Sequence, residues 1–195
     1  MKLIFATNNQ HKVEEIRSVI RNSFLQIITL KESGIDIDIP EPYVTLAENA
    51  SNKSKTIHAL TGTNCFSEDT GLEVDALHGE PGVKSARYAG DEKSFDKNIQ
   101  KLLHKLEGVN DRKAKFRTVI SLIIDGKEKL FEGICEGTII HSGKGNNGFG
   151  YDPVFVPVGA VHTFAEMNID EKNKFSHRKK ATDKLVQYLN SLDKS

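Results

Sequence analysis

The stretch SEDTGLEVDALHGEPGVKSARYAG, residues 67–90, places two acidic residues directly after a short apolar run. Glu68 and Asp69 follow Asn64-Cys65-Phe66, a run that is typical of a buried strand. Paired carboxylates at the end of such a strand have two explanations. One is a turn with Gly71 at a positive φ. The other is a cation such as Mg²⁺, which takes oxygen ligands and keeps several of its waters.

Length and composition limit the class of protein. The chain has 195 residues, enough for one large domain with a substantial core. Its 27 basic and 27 acidic residues balance, which argues against bulk attraction to nucleic acid or to an anionic membrane. Cys65 and Cys135 are far apart, so neither a disulfide framework nor a zinc site is expected. We expect one domain over residues 1–195, soluble and cytoplasmic, without a membrane or nucleic-acid partner.

Apolar patterning predicts a mixed α/β chain whose sheet is not purely parallel. Asp125-Gly126 is a strong hairpin signal, and Thr45-x-x-Glu48 is a capping box. Strands are predicted at residues 2–6, 26–30, 72–77, 114–124, 129–140 and 151–158, with one more ending near Ser67. Helices are predicted from four apolar sets: Val13, Ile16, Val19 and Ile20; Leu46, Ala50, Ile57 and Leu60; Ile99, Leu102, Leu103 and Leu106; and Ala181, Leu185, Leu189 and Leu192, the last helix starting around Ser176.

A glycine-rich segment, residues 143–148, matches G-x-G-x-x-G letter for letter. A dinucleotide fingerprint needs a strand before it and a helix starting on it. Here the chain continues as FGYDPVFVP, which is strand-like and contains two prolines. The segment is therefore interpreted as a flexible loop, and Lys144 lacks the partners that a phosphate-binding loop requires.

The first polar stretch lies where the first strand turns into the first helix. Backbone N–H groups at a helix N-terminus and the helix dipole favour an anion there, so this stretch is a candidate phosphate site. Ordinary helix capping with a solvated Lys12 is the alternative. The stretch consists of Thr7, Asn8, Asn9, Gln10, His11 and Lys12.

The second polar group is acidic. A carboxylate beside metal-bound water can act as a general base, which makes Asp69 a candidate for both roles. Glu41 stands between two prolines whose rigid backbone would hold it in place as a second ligand. Its alternative interpretation is simple surface exposure.

The third and fourth stretches are aromatic and basic. In GFGYDP, glycines on both sides of Phe149 allow a ligand to approach the backbone and the ring, although a packed turn is equally consistent. Lys172 precedes Ser176-His177-Arg178, where Ser176 is a good N-cap. A basic pair in a first helical turn opposes the helix dipole, which hints at function. The alternative is a basic surface run continuing into Lys179 and Lys180.

Together the four stretches indicate an anionic, planar, metal-associated ligand, for which a nucleoside triphosphate is the natural candidate. FATNNQHKVEEI, EDTGLEVDAL, PGVKSARYAG, GFGYDPVF, TFAEM and EKNKFSHR occur in this order along nearly the whole chain. In these motifs the chain resembles the inosine triphosphate pyrophosphatase family, the house-cleaning Ham1 group. The resemblance implies Mg²⁺-dependent hydrolysis of ITP, dITP and XTP to the monophosphate and pyrophosphate. It also implies a homodimer and an elongated mixed β-sheet flanked by helices, in two lobes with the active site in the cleft between them.

The resemblance also implies residue roles. Thr7 to Lys12 would bind the triphosphate, and Glu41 and Asp69 would hold the metal, with Asp69 as proton acceptor. Thr70 takes the place of a frequent serine, Asn8 stands where many relatives have glycine, and Glu68 leaves open which carboxylate meets the metal. The base and sugar wall would be Phe149, Gly150, Tyr151 and Asp152, and the pocket would be completed by Lys172, His177 and Arg178.

Two other classes stay open at this stage. One is a Maf-type pyrophosphatase of modified pyrimidine nucleotides, and the other is a non-catalytic nucleotide sensor. For the purine reading, Arg178 and nearby N–H groups are expected to recognise the 6-carbonyl of hypoxanthine and xanthine, because adenine would leave these donors unpaired. Guanine shares that carbonyl, so its rejection must depend on the 2-amino group.

Overall fold

The computed structural model describes residues 1–20 and 24–192. None of the helices in these two ranges is long and apolar enough to cross a membrane. The strands are β1 (Lys2–Phe5), β2 (Gln26–Thr29), β3 (Cys65–Val74), β4 (Pro81–Gly82), β5 (Lys113–Ile124), β6 (Lys127–Ile139) and β7 (Phe155–Pro157). The helices are α1 (Gln10–Ile20), α2 (Leu46–Thr61), α3 (Phe95–Lys105), α4 (Ile169–Asn173) and α5 (His177–Leu192).

The strands form a mixed sheet in the order β2-β1-β3-β5-β6-β7, with β4 paired to β3. β1 runs parallel to β2 and β3, whereas β4 is antiparallel to β3 and β7 to β6. The predicted mixed sheet flanked by helices is confirmed. The chain divides into two compact units: unit 1 takes the described residues in 1–69, 118–133 and from 178 onward, and unit 2 takes 70–117 and 134–177.

Unit 1 has a core cluster on each face of its strands. Side chains alternate between faces along a strand, so Leu122 belongs to one cluster and Ile123 to the other. In the same way, the side chains of Phe66 and Cys65 on β3 belong to different clusters. Phe66 stacks on Phe5, its neighbour on β1, with ring centroids 4.4 Å apart. The faces of β3 are therefore fixed by apolar packing.

Unit 2 is built around aromatic rings. Phe116 packs edge-on against Phe155 with centroids 4.7 Å apart, and both rings approach Phe164. Leu102 of α3 and Leu106, the residue directly after that helix, join this core with no exposed surface. The apolar stripe predicted for α3 is therefore confirmed at these two positions.

β3 differs from its prediction. The strand continues through Glu68 and Asp69 to Val74, so the predicted turn at these carboxylates is wrong. Gly71 is not among the residues with positive φ. A Cβ at Gly71 would lie 2.6 Å from the carbonyl oxygen of Gly82 on β4, so glycine is needed there for close backbone approach. The predicted strand at 72–77 is the second half of β3, followed by a 3₁₀ turn.

Several end positions also differ. Leu60 and Leu192, predicted to be buried, are 60% and 39% exposed, and each lies in the last turn of its helix. The strand predicted at 151–158 contracts to Phe155–Pro157, since residues 152–154 form a 3₁₀ turn.

The hairpin signal has the predicted geometry, and of the predicted capping box the contact from the Glu48 N–H to the Thr45 side chain is present. Asp125 and Gly126 have φ values of 49° and 75°, as a two-residue hairpin loop with both residues at positive φ requires. The Thr45 side chain accepts from the Glu48 N–H and caps α2, while its hydroxyl donates to the Glu48 carboxylate.

The close approach at Gly71 generates a stability prediction. Gly71→Ala forces the β3–β4 backbones apart, because the new methyl would lie 2.6 Å from one backbone atom of Gly82 and 2.9 Å from another. We expect a loss of about 1–3 kcal/mol in the free energy of unfolding, the usual cost of overpacking. Urea unfolding followed by circular dichroism measures it.

Gly143→Ala is the matched control. A Cβ at Gly143 would first meet the Cβ of Pro153 at 3.4 Å, an ordinary contact, and its φ is not positive. This variant is expected to stay within about 1 kcal/mol of the unchanged chain. Equal stability of the two variants would contradict the steric account of Gly71.

Candidate functional site

The adjacent carboxylates of β3 point to opposite faces of the strand. Glu68 shares a face with Phe66, and Asp69 shares the other with Ser67, because side chains alternate along a strand. Both carboxylates are buried, with 1% and 5% of their surface exposed. Glu68 contacts residues of α1 and α5, and Asp69 contacts α2. The two neighbours therefore belong to different charge clusters.

Glu68 lies in a buried cluster of two acids and two bases. Arg178 forms a two-pronged contact with it, Nε to Oε2 at 2.8 Å and Nη2 to Oε1 at 2.9 Å. Nζ of Lys12 lies 3.2 Å from Oε1 of Glu68. Nη1 of Arg178 donates to Glu15, a buried carboxylate of α1 that sequence analysis did not identify. Glu15 is not part of the apolar stripe of α1, so no periodicity marks it.

The cluster keeps its charges. Burial alone would raise the pKa of Glu68, but the charges of Arg178 and Lys12 and their hydrogen bonds outweigh it and lower the pKa to about 2. Burial likewise opposes the charge of Arg178, yet Glu68 and Glu15 raise its pKa above the ordinary value. Arg178 is 1% exposed, so its interpretation as part of a basic surface run is wrong.

Asp69 faces a lysine that sequence analysis missed. Lys53 of α2 places Nζ 3.6 Å from Oδ1 of Asp69 and 2.5 Å from Oε1 of Glu41. A signal was available, since Lys53 occupies the helical stripe between Ala50 and Ile57, where an apolar residue is expected. A lysine at such a position is buried and needs anionic partners.

The segment that carries Glu41 is attached to α2 by amide side chains. Nδ2 of Asn52 donates to the carbonyl of Pro40 at 3.0 Å. Asn49 accepts from the N–H of Tyr43 at 3.0 Å and donates to its carbonyl at 3.1 Å. These contacts flank Glu41 on both sides. The predicted rigidity from two prolines is thus supplemented by three side-chain hydrogen bonds.

Glu41 and Asp69 suit a magnesium ion. Both carboxylates approach the same ammonium group, and Mg²⁺ is usually held by one or two carboxylates together with substrate phosphates and waters. Across residues 1–20 and 24–192, no group of three or more His, Cys, Asp or Glu side chains is arranged to hold a metal. Two carboxylates would leave most of the coordination positions of such an ion to water and other ligands.

The stretch before α1 caps that helix. The hydroxyl of Thr7 accepts from the N–H of Asn9 at 3.2 Å, and Oδ1 of Asn9 accepts from the N–H of Lys12 at 3.3 Å. Nδ2 of Asn8 donates to the carbonyl of Ile37 at 2.8 Å. Gln10 and His11 are exposed. The predicted helix capping is confirmed. The prediction that Lys12 is solvated is wrong, because its ammonium group contacts Glu68.

In unit 2, Asp152 contacts both Phe149 and Lys172, two of the predicted site residues. Its Oδ2 accepts from the N–H of Phe149 at 2.9 Å and from Nζ of Lys172 at 2.5 Å. Lys172 is buried, and its Nζ lies 5.4 Å from the centre of the Phe149 ring. Any side chain at Gly148 would collide with the Asp152 carboxylate, so glycine is required there.

The other predicted residues of unit 2 differ in exposure. Tyr151 is buried, its hydroxyl donates to the carbonyl of Ser85 at 2.9 Å, and burial raises its pKa. His177 is buried with its ring stacked on Phe116 at 4.7 Å. Gly150 and Thr70 are half-buried. The functional roles of all these residues stay predictions.

Comparison with known proteins gives a consistent answer. The model of the Ham1 family matches residues 3–188. A dITP/XTP pyrophosphatase from Porphyromonas gingivalis is 50% identical over 189 residues, which is 96% of this chain and 97% of that protein. One from Christiangramia forsetii is 48% identical, over 97% of this chain and 99% of that protein.

Solved structures agree. The Staphylococcus aureus Ham1 protein is similar with a TM-score of 0.88 at 38% identity, covering 98% of this chain and 99% of that one. The nucleoside-triphosphatase / dITP/XTP pyrophosphatase from Mycobacterium abscessus is similar with a TM-score of 0.76 at 36% identity, covering 95% and 98%.

The lowered pKa of Glu68 generates a prediction about acid stability. A carboxyl whose pKa falls from 4.5 to about 2 on folding contributes about 3 kcal/mol at neutral pH. This contribution is complete above pH 4.5 and is lost as the pH falls towards 2, because the unfolded chain binds the proton first. Glu68→Gln should therefore be less stable at pH 7, with a gap that narrows in acid. Urea unfolding at a series of pH values measures the gap.

Glu14→Gln, on the exposed side of α1, is the control. It removes a carboxylate from the surface and is expected to change stability by less than about 0.5 kcal/mol at each pH. A stability difference between Glu68→Gln and the unchanged chain that stays constant from neutral to acid pH would contradict the buried charge cluster.

Proposed function

Because the chain belongs to the Ham1 family, we propose that it hydrolyses the non-canonical purine nucleotides ITP, dITP and XTP to the monophosphate and pyrophosphate. The observation that carries this proposal is the match of nearly the whole chain to proteins named dITP/XTP pyrophosphatase, at 48% and 50% identity. The arrangement of Asp69, Glu41 and Lys53 supports it, since it joins carboxylates for a metal to a cation for phosphate.

In the proposed reaction, Asp69 orients a water and accepts its proton. The water oxygen forms a bond to the α-phosphorus, the bond from that phosphorus to the bridging oxygen breaks, and pyrophosphate leaves with the electron pair. Mg²⁺ held by Glu41 and Asp69 would supply Lewis-acid stabilisation of the phosphate charge. The fixed position of Asp69 on β3, buried and facing α2, suits a base that must not move during the reaction.

Negative charge develops on the departing pyrophosphate, and cationic groups are proposed to stabilise it. Lys12 and the N-terminus of α1 would bind the triphosphate, where the capped Thr7–Asn9 stretch holds the backbone in place. Lys172 would add a second charge. Its ammonium is oriented by Asp152 and lies near the ring of Phe149, which would stack on the purine.

Purine discrimination is proposed to depend on the 6-carbonyl. A buried donor left without a partner by adenine costs a few kcal/mol, enough for strong selection. The predicted contact of Arg178 with the purine carbonyl is constrained, because Nε, Nη1 and Nη2 of Arg178 each already donate to a carboxylate. A purine carbonyl would have to share one of these nitrogens with Glu68 or Glu15.

The cellular setting is also a proposal. A nucleotide-pool enzyme would act in the cytoplasm, and the buried thiols of Cys65 and Cys135 suit a reducing compartment. The homodimer rests on the family resemblance, and sedimentation analysis tests it. The Maf-type alternative receives no support from the family match, and a nucleotide sensor differs from the enzyme only in turnover.

Asp69→Asn is the variant that tests the mechanism. It keeps the size of the side chain but removes the proton acceptor, so pyrophosphate release from dITP and XTP should fall at least about 100-fold, the usual contribution of a general base. The unchanged chain should release pyrophosphate from dITP and XTP far faster than from ATP or GTP, and only with Mg²⁺.

Asp75→Asn, in the exposed turn after β3, controls for the loss of one carboxylate and should keep full activity. If the unchanged chain bound dITP tightly without hydrolysing it, the protein would be a nucleotide sensor and not an enzyme. Full activity in Asp69→Asn would show that a residue other than Asp69 accepts the proton.

A further inference from the structure

We propose that Lys53 is an internal counter-ion that competes with the divalent cation for Glu41, so that its ammonium leaves this carboxylate when the metal binds. The proposal rests on the proposed function, because it assumes the metal site of Glu41 and Asp69. It adds that Lys53 pairs with Glu41 until the metal ion takes its place.

The geometry shows one cation shared by two acids. Nζ of Lys53 lies 2.5 Å from Oε1 of Glu41 and 3.6 Å from Oδ1 of Asp69. The Lys53 and Asp69 side chains are 9% and 8% exposed, and that of Glu41 is 26% exposed. Water therefore screens the lysine poorly, whereas Glu41 remains open to a cation from solvent.

A metal ion on Glu41 and the ammonium of Lys53 on the same carboxylate repel each other. Both are cations, and a divalent ion at coordination distance from Oε1 would stand within a few ångströms of the ammonium, where repulsion in a poorly screened site is strong. Lysine carries its charge on a flexible four-carbon stem, so the ammonium can leave one anion for another without moving the helix. A triphosphate beside the metal offers such an anion.

Glu41 does not depend on Lys53 for its position. Asn52 holds Pro40, and Asn49 holds Tyr43 through two hydrogen bonds, so the backbone on both sides of Glu41 is attached to α2 by other residues. Removing the ammonium should therefore leave the carboxylate in place and available. This separates competition by Lys53 from structural support by Lys53.

The experiment titrates Mn²⁺ alone, without nucleotide, and follows free Mn²⁺ by electron paramagnetic resonance. Lys53→Met removes the ammonium and keeps the apolar stem. We expect it to bind Mn²⁺ at least about tenfold more tightly than the unchanged chain, because a close repulsive charge is gone. In a Glu41→Gln background, the same substitution should change affinity clearly less than in the unchanged chain, since only the longer contact of Lys53 with Asp69, at 3.6 Å, remains.

Lys55→Met is the matched control on the same helix. It also removes one positive charge, but Lys55 is 60% exposed and pairs with Glu128 at 2.8 Å. Its effect on Mn²⁺ affinity should be below about threefold, because solvent screens it. Thermal unfolding verifies that each variant is folded.

The outcomes are distinct. Equal or weaker Mn²⁺ binding by Lys53→Met overturns the competition alone and leaves the pyrophosphatase proposal intact. No Mn²⁺ binding by any variant overturns the metal site and the competition together. A crystal structure of the unchanged chain with Mn²⁺ gives an answer even where Lys53→Met does not fold. Nζ is expected beyond about 4 Å from Glu41, outside ion-pair range, and a metal on Glu41 with Lys53 still paired to it would overturn the proposal.

Discussion

The alternation of side chains along β3 is the constraint on which the candidate site depends. Glu68 and Asp69 are neighbours in sequence, yet the pleat sends one towards Arg178 and the other towards Lys53. If both pointed to one face, two buried carboxylates would repel each other and one would be protonated. Their separation allows each to keep its charge and its own cation. The stacked Phe5–Phe66 pair holds this register, because a slip of one residue would exchange the two faces.

Much of the fold follows from local sequence signals. The hairpin at Asp125-Gly126 and the cap at Thr45 rest on backbone geometry that few residues satisfy, so their positions were predictable. The continuity of β3 was not, because acidic residues and a glycine in a strand resemble a turn. The strand is continued by pairing with its sheet neighbours β1 and β5 and, at Leu72 and Glu73, with β4, whose backbone passes too close to Gly71 for a side chain. Pairing of this kind depends on residues distant in sequence.

The candidate site shows the same division. Local motifs singled out Glu41, which stands between two prolines, and the start of α1, where a strand turns into a helix. Asp69 was singled out from a strand end that the structure does not have. Arg178 was marked by an unfavourable charge at a helix start, but its partners are more than a hundred positions away in sequence and were not predictable. Lys53 was missed because only the apolar residues of the buried stripe of α2 were considered. A charged residue inside the stripe was the more informative signal.

The buried side of α2 is polar at Asn49, Lys53 and Ser54 as well as apolar at Leu46, Ala50 and Ile57. Ser54 contacts Ser121 of β5 at 2.6 Å, and Ser67 of β3 donates to the carbonyl of Ala50 at 2.5 Å. Apolar surfaces tolerate sliding and rotation, but hydrogen bonds have fixed directions and lengths. This helix is therefore seated at one height and one rotation. An engineered chain that exchanged these polar residues for larger apolar ones would gain burial while giving up that alignment, so the region is a poor target for stabilisation by core redesign.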